Sequence, residues 1–124
     1  MLSTQKPIAF VATAAPERAA QFYRDVLGLK LIEDSPFALV FDLAGIMLRI
    51  QKVESLTPSP FTVLGWQVDD IESIIKALAQ RGVHFEHYPR LEQDPFGIWA
   101  SPSGAKVAWF KDPDGNNLSL TEFV

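Results

Sequence analysis

Apolar residues along this chain change period several times, and the changes mark its elements. IAFVAT (8–13) is a short run of strand formers. PERAAQFYRDVLG (16–28) follows, with Ala19, Phe22, Tyr23, Val26 and Leu27 at the three- and four-residue spacing of one helix face. Pro16 suits the first turn, where a missing N–H costs nothing, and Gly28 suits the position just past a helix end. LKLIED (29–34), FALVFDL (37–43) and IMLRIQKV (46–53) then read as three strands, the last two joined through a tight turn at Ala44-Gly45.

The second half repeats this order. FTVLGWQV (61–68) reads as a strand, and Asp69 with Glu72 offers carboxylates to the free N–H groups of a helix start. Ile71, Ile74, Ile75 and Leu78 form the apolar stripe, and Gly82 closes the helix. VHFEHY (83–88), KVAWFK (106–111) and NNLSLTEF (116–123) supply three further strands. Pro113 and Gly115 give the last pair a turn, and a three-residue loop there would set Trp109 beside Ser119.

DLAGIMLRI in the first half matches DPDGNNLSL in the second through Asp42/Asp112, Gly45/Gly115 and Leu48/Leu118. The offset between halves grows from 54 at Gly28/Gly82 to 70 at Gly45/Gly115, so the second half carries 16 additional residues between helix and hairpin. They lie mostly within 88–104, with Phe96 and Trp99 beside Pro95 and Gly97, and read either as a binding loop or lid or as an extra short strand at GIWAS covering a sheet edge. ESLTPSP is polar and proline-bearing, so the expected organisation is one domain over 1–124, with a module over 7–53, a linker over 54–60 and a second module over 61–124.

Composition narrows the function. With 11 basic and 15 acidic side chains the net charge is −4, and no Lys/Arg run offers a surface for nucleic acid. Without cysteine there is no thiol nucleophile, disulfide framework or Cys-ligated zinc. No stretch has the length and apolarity of a membrane span. The opening segment reads as a first strand of a cytoplasmic protein rather than a signal peptide, because Pro7 interrupts the start of its apolar run and a helix follows directly.

ERAAQFYRDVLGLKL (17–31), VDDIES (68–73), RGVHFE (81–86) and VAWFKDPDGNNLSLTE (107–122) together resemble the vicinal oxygen chelate superfamily, which includes glyoxalase I, the bleomycin-resistance proteins and the extradiol dioxygenases. The resemblance implies an α+β fold: two βαβββ modules forming a curved eight-stranded mixed sheet around a central cavity, with helices outside. It also implies a homodimer. In the metal-dependent members four His or Glu ligands come from the first and fourth strand of each module, and the corresponding positions here are Ile8, Arg49, Val63 and Ser119. None is a ligand of the expected kind, so no metal, other cofactor or catalytic residue is assigned.

The remaining chemistry is that of binding. Strand parity puts Met47, Arg49 and Gln51 on one face, which the resemblance makes the cavity face. Arg49 there needs either an internal carboxylate, such as Asp42 or Glu122, or an acid on a ligand. Phe10, Gln67, Trp109 and Ser119 are placed on the same inner surface, and Trp66 on the opposite one, under a helix. Phe96 and Trp99 join the ligand candidates from the insertion. His84 and His87 are three apart on an expected strand, so they point to opposite faces and cannot chelate together. Ser119 has no histidine within reach, and Ser101 and Ser103 look like turn residues. The expected function is metal-independent binding of an acidic, partly apolar small molecule. The alternatives are a lyase or dioxygenase-type enzyme using other ligands or no metal, and a structural or regulatory dimer module.

Overall fold

A computed structural model of the chain describes residues 1–124, which divide into two compact units, Met1–Thr57 and Pro58–Val124. The first contains strands β1 (Ile8–Thr13), β2 (Lys30–Asp34), β3 (Ala38–Leu43) and β4 (Ile46–Lys52) in the order β1-β4-β3-β2. The second contains β5 (Thr62–Gln67), β6 (Trp99–Ala100), β7 (Lys106–Lys111) and β8 (Asn117–Glu122) in the order β5-β8-β7-β6. Each sheet is mixed, because its first strand runs parallel to its fourth and the other pairs are antiparallel. The fold is therefore α+β, with eight strands in two four-stranded sheets of like topology.

Each unit buries one sheet face. In the first unit Val11, Leu39, Phe41, Leu48 and Ile50 are buried together with Ala19 and Tyr23 of the helical segment. That segment starts as α1 (Pro16–Gln21), with Pro16 in its first turn, and widens to a π-helical turn over Phe22–Val26, closed by Leu27 N–H on the Phe22 carbonyl. Gly28, at φ +77°, ends it, and the Tyr23 ring lies 5.9 Å from that of Phe41. In the second unit Ile71, Ile75 and Leu78 of α2 (Ile71–Gln80) are buried with Ala108, Phe110, Leu118 and Leu120. Ile74, expected in that stripe, is 38% exposed.

The helix start lies one residue later than Asp69 and Glu72 suggest. Val68 N–H still donates to the Thr121 carbonyl, which keeps the chain extended past the end of β5, and Asp70 becomes the cap. Its carboxylate accepts from Ser73 N–H at 3.2 Å, while Glu122, reaching across from β8, accepts from Ile71 N–H at 3.0 Å. Two carboxylates thus satisfy the first turn, neither of them from the expected pair.

The two hairpins match in purpose but differ by one residue. Ala44 and Gly45, at φ +52° and +91°, form a two-residue turn with both residues left-handed, and Asp42 accepts from Gly45 N–H. The second turn holds Pro113, Asp114 and Gly115, and is built around Asp112, whose buried carboxylate accepts from Asp114 N–H, Asn116 N–H and the Asn116 side-chain amide. The extra residue makes Trp109 the counterpart of Val40, because Arg49 pairs with Val40 and Ser119 with Trp109.

The insertion resolves in favour of the edge strand, and VHFEHY does not form the expected one. The outer edge of β7 is covered in two pieces. Phe85 bridges to Phe110 and Glu86 N–H donates to the Trp109 carbonyl, while Trp99 and Ala100 pair with Val107 and Lys106. Between these pieces Gln93 holds the loop: its amide nitrogen donates to the carbonyls of Glu86 and Gly97, and its oxygen accepts from Tyr88 N–H at 2.7 Å. Asp94 accepts from the N–H groups of Phe96 and Ile98 and tightens the return.

Gln93→Ala should therefore cost on the order of 1–3 kcal/mol by leaving part-buried backbone groups without partners. Gln93→Glu, although isosteric, lacks both donors and sets a carboxylate against two carbonyls, so it should be no better. Urea unfolding of both variants checks this, and an unchanged midpoint for Gln93→Ala would contradict the assignment.

Candidate functional site

The sheet faces turned away from the helices carry most of the candidates. In the first unit Phe10 of β1, Arg49 of β4 and Val40 of β3 are consecutive across the sheet. Met47 and Gln51 flank Arg49 on the same face, and Ile8 lies opposite Met47. This face is apolar yet open: Ile8, Phe10 and Met47 are 47%, 51% and 42% exposed. A groove of about 460 Å³ runs along it, with Ile8, Ile32, Val40 and Met47 as apolar lining, Lys6 and Lys30 as cations and Asp42 as an anion.

Arg49 is half-buried and has no carboxylate partner. The four ion pairs are Arg24–Asp25, Lys52–Asp34, Lys106–Glu122 and Lys111–Glu86. Of the two carboxylates considered for it, Asp42 serves the Gly45 turn and Glu122 serves the start of α2. None of these ion pairs joins Arg49 to Asp42 or Glu122.

In the second unit Gly65, Ser119 and Trp109 are consecutive across β5, β8 and β7. Ser119 is buried and leans over Gly65, where an added Cβ would lie 2.7 Å from the Ser119 hydroxyl. Gln67 is exposed two residues along the same strand. Trp99 lies opposite Val107, and its ring is 6.1 Å from that of Trp109. Tyr88, which periodicity does not single out, also meets Trp109, edge-on at 5.6 Å. Trp66 stacks on Phe110 on the helix-bearing face, as its parity predicts.

Phe96 does not join this group. Lys76 of α2 lies 5.3 Å from its ring centroid, which places Phe96 beside the helix, away from the open face. Its position follows from the Asp94 turn rather than from strand parity, so no periodic signal marks it. His84 and His87 are exposed and lie outside any strand.

The positions at which the resemblance would place a divalent ion do not fit one. Ile8 and Val63 offer hydrocarbon, Arg49 a cation and Ser119 a single neutral hydroxyl. Val63 also sits in a register shift between Thr62 and Leu64. No group of three or more His, Asp or Glu side chains that could hold an ion comes together elsewhere. What the open faces can do is bind: they combine aromatic and aliphatic surface with a few polar handles, Arg49, Gln51, Gln67 and Ser119.

No curated protein matches the chain in sequence. Solved structures do match it in fold. A superfamily member from Sphaerobacter thermophilus is 24% identical with a TM-score of 0.74, covering 98% of this chain and 99% of its own. A lactoylglutathione lyase from Agrobacterium tumefaciens is 20% identical with a TM-score of 0.70, at 97% and 96% coverage. The oxidase ChaP-H2 is likewise 20% identical with a TM-score of 0.70, at 98% and 95% coverage. These identities speak to the fold alone. The family's sequence profile, however, matches residues 6–120, and on that match the chain belongs to the glyoxalase/bleomycin resistance protein/dioxygenase superfamily.

Proposed function

We propose that this is a metal-independent protein that binds a small, partly apolar acid on its open sheet faces, in the cytoplasm and as a homodimer. The observation that carries the reading is Arg49: a half-buried residue outside every ion pair, set between Phe10 and Val40 on a face that also carries Gln51, Asp42 and Lys30. A cation in such surroundings favours an anionic partner, and a guanidinium grips a carboxylate or phosphate through paired N–H donors. Lys6 and Lys30 along the neighbouring groove outnumber its one carboxylate, Asp42, while Ile8, Ile32 and Met47 suit an apolar body. Pairing of two chains is supported by β1 and β5, which end their sheets with one edge unpaired.

Binding is favoured over catalysis because Arg49, Gln51, Gln67 and Ser119 include no group that exchanges protons near neutral pH. The donor set at the four family positions argues equally against a metal. The protein dialysed after purification should carry no stoichiometric Zn, Ni, Fe or Mn, and elemental analysis finding about one ion per chain would overturn the metal-free reading.

A thermal-shift screen of small aliphatic acids tests the role of Arg49. Arg49→Ala should remove about 2 kcal/mol of binding, roughly a thirtyfold loss, while changing the melting temperature of the free protein little. A large fall in stability, with no acid distinguishing wild type from variant, would assign Arg49 to the fold instead.

A further inference from the structure

The insertion builds a second recognition feature that the family positions do not include. A cleft of about 250 Å³ lies within the second unit, lined by Phe61 and Thr62 on one side, Tyr88, Arg90 and Leu91 on the other, and Trp109 of β7. Both walls are anchored. On the first, the side-chain amide of Asn117 donates to the Ser59 carbonyl at 2.7 Å, and Gly115 approaches Pro58 so closely that an added Cβ would lie 3.2 Å from its ring. On the second, Tyr88 N–H is held by Gln93, and Leu91 N–H returns to the Tyr88 carbonyl. The cleft is therefore a product of the backbone rather than of exposed side chains alone.

Its chemistry is narrow. Trp109 and Tyr88 present aromatic surface at right angles, and Phe61, 65% exposed, presents more from the opposite wall. Arg90 is the one cation in the lining; it lies 5.9 Å from the Tyr88 ring and takes part in none of the four ion pairs. Stacking on a ring restrains a guanidinium while leaving its N–H edge free to bind. Aromatic surface with one cation held beside the Tyr88 ring, and Thr62 and Asn117 as neutral polar neighbours, matches a planar ring bearing one acid group.

We propose that this cleft binds an aromatic carboxylate, with its ring against Trp109 and Tyr88 and its acid on Arg90. The proposal rests on the reading of this chain as a binder of small acids, and it assigns the ligand class and a site lined by second-unit residues. Arg90 is exposed, so its contribution is screened by salt and should be nearer tenfold than hundredfold.

The test uses the full chain, 2-naphthoate as the acid and 2-naphthylmethanol as its neutral counterpart. The indole N–H resonances are followed by NMR, with Trp66, Trp99 and Trp109 assigned by single Trp→Phe variants. Naphthoate should shift the Trp109 resonance most, and Arg90→Ala should weaken it about tenfold while leaving the weaker binding of the alcohol unchanged. Arg49→Ala should leave naphthoate affinity within twofold. Loss with Arg49→Ala but not with Arg90→Ala would place the acid on the first unit, sparing the general reading and overturning this one. Equal affinity for acid and alcohol, or no shift up to the solubility limit of naphthoate, would also overturn it.

Discussion

A β-sheet has two faces, and each four-stranded sheet here has one helix with which to cover them. Strand alternation then divides every side chain between two environments. Leu48 and Ile50 go under the helical segment of the first unit, and Met47, Arg49 and Gln51 go to the other side. The same rule sends Phe110 and Leu118 beneath α2 and leaves Trp109 and Ser119 on the open face. Stability is concentrated on one side, where large apolar side chains are withdrawn from water. The other side is free to vary, and there the chain carries a guanidinium, amides and aromatic rings in place of a continuous core.

That division was legible in the sequence wherever the backbone is periodic. Parity placed Arg49 with Met47 and Gln51, parity together with the family resemblance put Trp66 under the helix, and the three-residue turn set Trp109 beside Ser119. The paired Asp–Gly motifs located both hairpins, because a tight turn needs left-handed residues and a carboxylate to take up free N–H groups. The failures came where side-chain hydrogen bonds, rather than periodicity, decide the path. Asp70 displaced Asp69 as the cap because strand pairing continues to Val68. Residues 83–88 alternate as a strand should, yet Phe85 makes only a single bridge, to Phe110, while β6 covers Lys106 and Val107 at the other end of β7.

The insertion was the least legible part and contributes most of what is particular to this chain. Gln93 and Asp94 shape it through bonds to backbone groups several residues away, a pattern without sequence period. Phe96 was consequently placed with the ligand residues although it lies beside α2, while Tyr88 and Arg90 escaped notice. The family positions on the strands explain why no metal is assigned, and the loop explains how aromatic surface and a cation come together without one. Strands and loop are thus encoded differently, the first by alternation and the second by side-chain amides and carboxylates that hold its backbone.

The central claim is that small acids meet the open sheet faces and never the helix-bearing ones. Isotope-filtered NOEs between the methyl groups of the protein and a bound acid test this directly, because neighbouring strand residues report opposite faces. An acid on the open faces should give NOEs to methyls among Val40, Met47 and Val107, and none to Leu39, Leu48, Ile50 or Leu118. Contacts from the acid to the second set would mean that the ligand enters beneath a helix, and the account would be wrong.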